Sequence, residues 1–546
     1  MSEDEATVVT QGAPADTAQS SLAPFSHRAF SVLWAATVVS NIGTWMQNAA
    51  AGWLMTSLDP DPFTVSLVQV AGSLAMFAFA LPAGALADIV DRRRLLILIQ
   101  IGLAVLVALF GVTVWMDRVT PASLLVFSFL AATGAALITP AWQSIVPQLV
   151  SPPHLQAAVA LNSVGLNVSR AVGPALAGLI IAVWGLAAPY WLNALTALGV
   201  IGGLVWWKPT EESTGHLPPE RFSRAIRAGL RHARHNPHLR ATLIRAAGFF
   251  LFASAYWALL PLVARDQVAG GPKLYGILLG AIGASAVGGA FVLPTLKRRL
   301  GADRVMAAGT IGTAIALALF GLARQPATAL AASLVAGASW IAVLATVNVS
   351  AQVALPGWVR GRGLSIFGMV MFGGLTVGSA VWGKVASWAG LPATHLVAAA
   401  GALVTIPLLW RWKLQTGAGL DLTPSMHWPE VVPVEEVEAD RGPVLVTVEY
   451  NIRPEDRAPF LAAVYKFAEE RRRDGAFDCD IFEDLSAPGR FVETFLLDSW
   501  LDHLRQHHRV TGSDRSLQEA VNRFQIDGTP KVSHFISGGF GSQPSR

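Results

Sequence analysis

Gly84-Ala85-Leu86-Ala87-Asp88-Ile89-Val90-Asp91-Arg92-Arg93-Arg94-Leu95-Leu96-Ile97-Leu98-Ile99 joins two apolar runs through one short basic turn. The run before it is Thr64–Ala87 and the run after it Leu95–Trp115. Each is about long enough to cross a ~30 Å hydrocarbon core as a helix of ~20 residues. Inside hydrocarbon every backbone N–H and C=O needs a partner within the chain, so such runs must be helices.

The same alternation continues on both sides. Phe30–Thr56, Ala122–Gln143, Leu155–Trp184 and Pro189–Trp207 complete a first group of apolar runs. Leu239–Ala264, Tyr275–Leu296, Val305–Ala323, Ala327–Ala354, Gly363–Trp388 and Thr394–Trp410 form a second, about twelve spans in all. The composition agrees, with 53% hydrophobic and only 14% charged residues.

Net charge is only +4, but its placement is informative. Arginine and lysine crowd alternate loops: Arg92–Arg94, Lys297–Arg299 with Arg304, Arg360 and Arg362, Arg411 and Lys413. The connection between the groups adds Lys208, Arg221, Arg224, Arg227, Arg231, Arg234 and Arg240. The intervening loops carry few charges, such as Asp59 and Asp61. Basic loops stay cytoplasmic, so both termini are expected in the cytoplasm of a bacterial cell, with the spans in its inner membrane. These arginines flank spans where lipid headgroups lie, which argues against nucleic acid as a partner.

The two groups look like repeats. Leu81-Pro82 is answered by Leu293-Pro294, and Asp91-Arg92 by Asp303-Arg304. Parallel six-helix repeats suit a carrier that rocks one bundle against the other. The expected organisation is a disordered cytoplasmic tail over 1–24 and a six-helix bundle over 25–207. A linker over 208–238 follows, holding an amphipathic helix with Phe222, Ile226 and Leu230 on one face. A second bundle covers 239–413. After a linker over 414–442, rich in proline and acid, the chain reads β-α-β-β-α-(α)-β over 443–538. That order suggests a ferredoxin-like α+β unit, followed by a short tail over 539–546.

Residues 1–24 lack the basic and apolar regions of a signal peptide. The one cysteine, Cys479, permits no intrachain disulfide. No G-x-x-x-x-G-K-[ST] phosphate loop occurs, which disfavours an ATP-driven pump within this chain.

Polar residues inside spans are the best pointers to a substrate path, because lipid burial penalises them. Asn41, Thr44, Trp45 and Asn48 share a face of the first span, and Ser163, Asn167 and Arg170 a face of the fifth. Tyr256 lies on a stripe with Arg245 in the seventh, while Gln143, Asn348 and Gln352 add amides elsewhere. Hydrogen bonding between helices is the competing reading for each amide. Arg170 is different: no obvious mid-span Asp or Glu supplies an acceptor, which leaves helix carbonyls or an anionic or phenolate substrate to satisfy it. Proton coupling is open for the same reason, since the acids sit at membrane edges.

The Gly84–Arg93 turn resembles the loop signature of the major facilitator superfamily, with Gly84, Asp88, Arg92 and Arg93 at matching positions. Ile89 stands where a basic residue is usual and Asp91 where glycine is usual. The resemblance implies that these residues latch one conformation. Gly165, Gly173, Pro174 and Gly178 resemble the glycine–proline signature of the superfamily's antiporter-type exporters, a helix-packing motif. The C-terminal unit resembles the antibiotic-biosynthesis-monooxygenase-like module, through Val446–Tyr450, Phe491–Phe495 and Ser499–His507. Such modules pair two copies, which implies a homodimer, and Trp500, His503 and His507 would face a pocket; a metal is not expected there, for want of a third ligand.

Bundle and module together resemble the transmembrane secretion effectors, which include the enterobactin-exporter type. The resemblance implies export of a small molecule, such as a siderophore, drug or other secondary metabolite, by alternating access and without a cofactor. A membrane-tethered enzyme whose C-terminal module modifies the substrate, or an importer, is the alternative.

Overall fold

The computed structural model describes residues 21–208, 222–417, 421–423, 425, 438 and 441–538, and the side chains of 85, 87–89, 222–228 and 508 are outside this set. The expectations for most of the N-terminal tail, for the faces of the linker helix, for most of the 414–442 linker and for the Asp88 carboxylate therefore lie outside the described residues.

Among the described residues, ten helices are long and apolar enough to cross a membrane. They are α1 (Arg28–Leu58), α2 (Pro62–Ile89), α3 (Arg92–Trp115), α4 (Pro121–Leu149), α5 (Leu155–Trp184) and α6 (Ala188–Trp206), then α8 (Pro237–Leu262), α9 (Pro272–Leu322), α10 (Pro326–Val353) and α11 (Arg360–Leu409). α7 (Phe222–His235) is the short linker helix. The difference from about twelve runs has a physical cause. α9 and α11 each consist of two helical segments joined at a glycine, Gly301 (φ 77°) and Gly390 (φ 78°). A left-handed residue turns the chain back, and glycine adopts that conformation without a Cβ clash.

Helix starts follow local chemistry. Pro62, Pro121, Pro237, Pro272 and Pro326 open their helices, where a missing N–H has no consequence. Asp61, Thr120 and Asn236 cap α2, α4 and α8 through their side-chain oxygens.

Two ends of the membrane unit can be told apart by charge. At the end away from the basic loops, one continuous core runs through both halves, from Met46, Ala50 and Leu54 to Tyr256, Leu260 and Tyr275. At the basic end the first half keeps a core of its own, with Phe30, Leu33, Leu96, Ile145 and Leu204. The halves meet along two seams, α5 against the first segment of α9 (272–300) and α2 against the first segment of α11 (360–389). Along the first seam, small residues face each other: Cβ atoms built on Gly178, Gly276 and Gly283 would collide with Pro272, Pro174 and Ala171 respectively. Towards the basic end contact is lost, with Phe291 81% exposed and Gly84, Gly288, Gly361 and Gly368 facing open space. The halves therefore enclose a cleft that opens at the basic end and closes near mid-span.

The C-terminal unit has four antiparallel strands in the order β2-β3-β1-β4. They are β1 (Val444–Asn451), β2 (Phe477–Glu483), β3 (Arg490–Leu497) and β4 (Lys531–Ile536), with α12 (Arg457–Asp474), α13 (Trp500–Arg509) and α14 (Gly512–Asn522). Alternation in β1 turns Val444, Val446, Val448 and Tyr450 onto a core with Phe460, Phe467, Phe491 and Phe495. One buried ion pair crosses that core. Arg471 binds Glu493 at 2.6 Å, and Tyr450 donates its hydroxyl to the same carboxylate at 3.0 Å.

This unit docks on the second half. Arg231 of α7 donates to the Gly475 carbonyl at 2.8 Å, and the Arg509 guanidinium lies 4.5 Å from the Trp358 ring in the loop before α11. His232 packs edge-on against the same Trp358.

Candidate functional site at the apex of the cleft

Arg170 lies one residue before Ala171, where the two halves part. Its guanidinium sits over the Trp45 ring at 5.0 Å, and its Nε is buried without a hydrogen-bond partner. Gly173 makes this possible: a Cβ there would run into Trp45 and the Ile42 carbonyl, so α1 nests against α5 one turn beyond Arg170. Gly165 does the same for Val38 and Trp34, whereas Gly178 and Pro174 face the second half. The four glycine–proline positions thus serve two different neighbours of α5.

Tyr256 of α8, fully buried, reaches across from the second half and lies close enough to interact with the Arg170 charge. Its hydroxyl is an orphan, as are the Nε1 atoms of Trp257 and Trp340. The rings are continuous, with Tyr256–Trp257 at 5.5 Å and Trp257–Trp340 at 5.3 Å. Among the described residues no carboxylate pairs with Arg170, so the apex is an aromatic wall studded with unused donors. These donors are buried in this structure, and their chemistry suits acceptor-rich, anionic or aromatic groups better than cations.

The other polar residues singled out from the sequence divide differently. Asn167 lies one turn from Arg170 towards the basic end and donates to its own helix at Ser163 O, 2.8 Å away. Asn41 is half-buried one turn from Trp45, and Asn48 is exposed. Thr44 turns towards Asn193 of α6 and away from the cleft apex. Gln143 is exposed on α4. Asn348 and Gln352 bond to each other at 2.5 Å near the basic end of α10, away from Arg170. Sequence reading missed Trp257 and Trp340, because apolar neighbours hide an indole donor, and missed the buried Asn193–Gln47 bond of 2.6 Å.

At the basic turns the two halves differ. Asp91 caps α3 by accepting from Arg94 N at 2.7 Å, and Arg93 donates to the Leu204 and Val205 carbonyls of α6, each at 2.7 Å. Arg92 is half-buried, and nothing crowds Gly84. Asp303, the counterpart of Asp91, instead pairs with Arg245 and accepts from Leu414 N at 3.1 Å.

In the C-terminal unit, His503 stacks among Trp500 at 5.1 Å, His507 at 4.8 Å and His534 at 4.6 Å. Burial, reinforced by His534 and His507, lowers the His503 imidazole to about 3, so the ring is neutral. Both its nitrogens and both Gln506 amide atoms are buried without partners. His534 arrives from β4, a contact no local sequence pattern signals. No group of three metal-ligating side chains occurs among the described residues.

Comparison with known proteins places the whole arrangement. The family model described as transmembrane secretion effector matches residues 19–540. The staphyloferrin A transporter of Staphylococcus aureus (strain NCTC 8325 / PS 47) is 23% identical over 48% of this chain and 65% of its own length. The enterobactin exporter EntS of Escherichia coli O1:K1 / APEC is 25% identical over 54% and 70%. The multidrug efflux pump Tap of Mycolicibacterium fortuitum is 23% identical over 66% and 90%. The chain therefore spans a little under two thirds of the first of these relatives. Among solved structures, a variant of the nucleoside transporter NupG shares the fold with a TM-score of 0.60 at 12% identity, covering 71% of this chain and 99% of that one. A bacterial homologue of the iron transporter ferroportin, in its inward-facing state, gives 0.55 at 15% identity, covering 70% and 98%. With its polytopic helical fold and a family match that also takes in the C-terminal unit, the chain belongs to the transmembrane secretion effector family of major-facilitator-type membrane proteins.

Proposed function

We propose that this protein is a secondary active exporter of the bacterial inner membrane, moving a small anionic or aromatic molecule by alternating access. In this reading the glycine joints in α9 and α11 make twelve spans in two six-helix bundles. The basic loops and both termini are cytoplasmic. The cleft then opens to the cytoplasm, where a cargo for export is loaded.

The observation that carries the reading is Arg170, held over Trp45 and within electrostatic range of Tyr256 at the closed apex of a one-ended cleft, with no carboxylate pairing it among the described residues. Relatives described as exporters or efflux pumps, for enterobactin, macrolides and multiple drugs, support the direction of transport. Asn41, Asn167, Gln143, Asn348 and Gln352 are proposed to line the path below the apex, and Asn48 to line it beyond the apex once that end opens. Gly84, Asp88, Asp91, Arg92 and Arg93 are proposed to latch the basic end when it closes. Proton coupling remains part of the proposal, with no embedded carboxylate assigned to it.

The C-terminal unit is proposed as a ferredoxin-like, antibiotic-biosynthesis-monooxygenase-like module that pairs two copies. A second reading makes it an enzyme acting on the cargo. It is favoured by the neutral, unpartnered His503 beside His507 and His534. Comparing secreted metabolites with and without the protein identifies the cargo. Uptake of that cargo into inverted vesicles under an imposed gradient then tests export. Arg170→Ala should abolish uptake with the protein still inserted, while turnover of the cargo by the purified full chain would favour the enzyme reading.

A further inference from the structure

The two seams that close the end opposite the basic loops differ in chemistry. Between α5 and the first segment of α9, contact is glycine on backbone, at Gly178, Gly276 and Gly283. No hydrogen bond joins these two helices among the described residues. Between α2 and the first segment of α11 the contact is hydrogen-bonded. Ser387 donates its hydroxyl to Asp61 Oδ1 at 2.8 Å and accepts the Phe63 N–H at 3.1 Å. Asp61 Oδ2 meanwhile accepts Thr64 N at 3.2 Å, as the cap of α2. A serine of one half thus completes the helix cap of the other, taking up an N–H that the first turn of α2 leaves unpaired. Gly383 brings the helices together there, since a Cβ on it would strike Ser66. Two turns deeper, Thr376 donates to the Ser73 hydroxyl at 2.8 Å.

We propose that the α2–α11 seam is the latch of the cleft-open state, released through Asp61 and Ser387, while the α5–α9 seam is the pivot. This deepens the alternating-access reading and rests on it. Opening the α2–α11 seam exposes polar groups that water can bond, because Phe63 N–H lies at a helix start and Ser387 also reaches its own Gly383 carbonyl at 3.3 Å. Parting the α5–α9 seam would instead break close-packed backbone contact with nothing to replace it. Lys384 lies over Phe63 at 5.5 Å and over Trp388 at 5.3 Å, keeping the latch beside the aqueous edge.

The test uses the full chain in lipid nanodiscs, with Cys479→Ser as background. Spin labels at Pro60→Cys and Ala389→Cys report the latch, and labels at Trp184→Cys and Lys273→Cys report the pivot. Ser387→Ala should raise the ratio of long to short distances across the latch about tenfold, the effect of losing a hydrogen bond to a charged group. Asp61→Asn should shift it the same way, and Ser387→Thr, which keeps the hydroxyl, should restore the parent ratio. The pivot pair should change far less. An unchanged latch distribution in both Ser387→Ala and Asp61→Asn would overturn the proposal, as would a pivot pair that separates as widely as the latch pair. Flux is measured separately: absence of transport by the parent protein contradicts the exporter reading, whatever the distances show.

Discussion

At the scale of single residues, Arg170 shows how far a sequence can be read. Its isolation from acids was visible in the chain, and so was its face with Ser163 and Asn167. Its actual neighbours were not, because Trp45 and Tyr256 come from helices far away in sequence and their register depends on Gly173 and Gly178. The geometry separates two outcomes. Arg170→Lys keeps the charge but loses the planar fork, so export should fall by roughly tenfold or more, in line with a charge-assisted hydrogen bond of about 1.5–3 kcal/mol. Thermal stability of the inserted protein should stay close to the parent. A melting point that drops as sharply as the flux would make Arg170 a structural clamp.

Gly276 tests packing at the same scale. A Cβ there would meet the Pro174 carbonyl and Gly178 backbone, neither of which can move aside cheaply. Gly276→Val should therefore force the halves apart and lower stability by about 1–3 kcal/mol, as overpacking does. Gly288→Ala, at a glycine facing open space, should be close to neutral in the same denaturation assay.

At the scale of elements, the alternation of apolar runs and basic loops located the ten long apolar helices found among the described residues. The joints were legible in part: Lys297–Arg299 and Arg304 mark a loop around Gly301, whereas Gly390 sits between apolar runs with no charge beside it. The strand and helix order of the C-terminal unit was legible too, from alternation in Val444–Asn451 and from Pro454 before α12. What could not be read was its buried charge. Arg473 gathers Glu470, Asp474 and Asp514 around one guanidinium. Burial, outweighing Arg473 and helped by Asp514 and Asp474, raises Glu470 to about 7. Burial likewise raises Asp474 to about 6.

The sign of the pH effect follows. A carboxyl whose folded pKa is raised holds its proton while the unfolded chain releases it, so stability falls as pH rises from about 4.5 to about 7. Buried neutral His503 and His232, both lowered to about 3, act oppositely, and their contribution is lost as pH falls below about 6.5. Between pH 6.5 and 8 the Glu470 carboxyl gives up its proton in the folded chain, while the last part of the histidine contribution is still being gained. The Glu470 share is therefore read against a Glu470→Gln variant: from pH 6.5 to 8 the parent should lose exchange protection in α12 and β1 relative to that variant, once corrected for intrinsic rates. An identical pH dependence in the two proteins would reject Glu470 as a source.

The other buried pair gives a larger effect. Glu493→Leu strands the Arg471 guanidinium beneath the sheet, beside the Tyr450 hydroxyl. It should destabilise the C-terminal unit by about 3–5 kcal/mol, seen as loss of exchange protection in β1 and β3 while the membrane helices keep theirs.

At the scale of the whole molecule, the cleft reaches Arg170 from the basic end, which is proposed to face the cytoplasm, and is sealed at the other. Ala171, Pro174 and Gly178 press against α9, and Asn167 continues the same face of α5 one turn beyond the point where that contact ends. The most direct measurement is the reactivity of an Asn167→Cys, Cys479→Ser variant towards a membrane-impermeant maleimide, applied to inside-out and to right-side-out vesicles. Rapid labelling in inside-out vesicles, with little in right-side-out vesicles until the Asp61–Ser387 contact is removed, is the predicted result. Equal labelling from both sides, or labelling only from the outer face, would contradict a cytoplasm-open carrier.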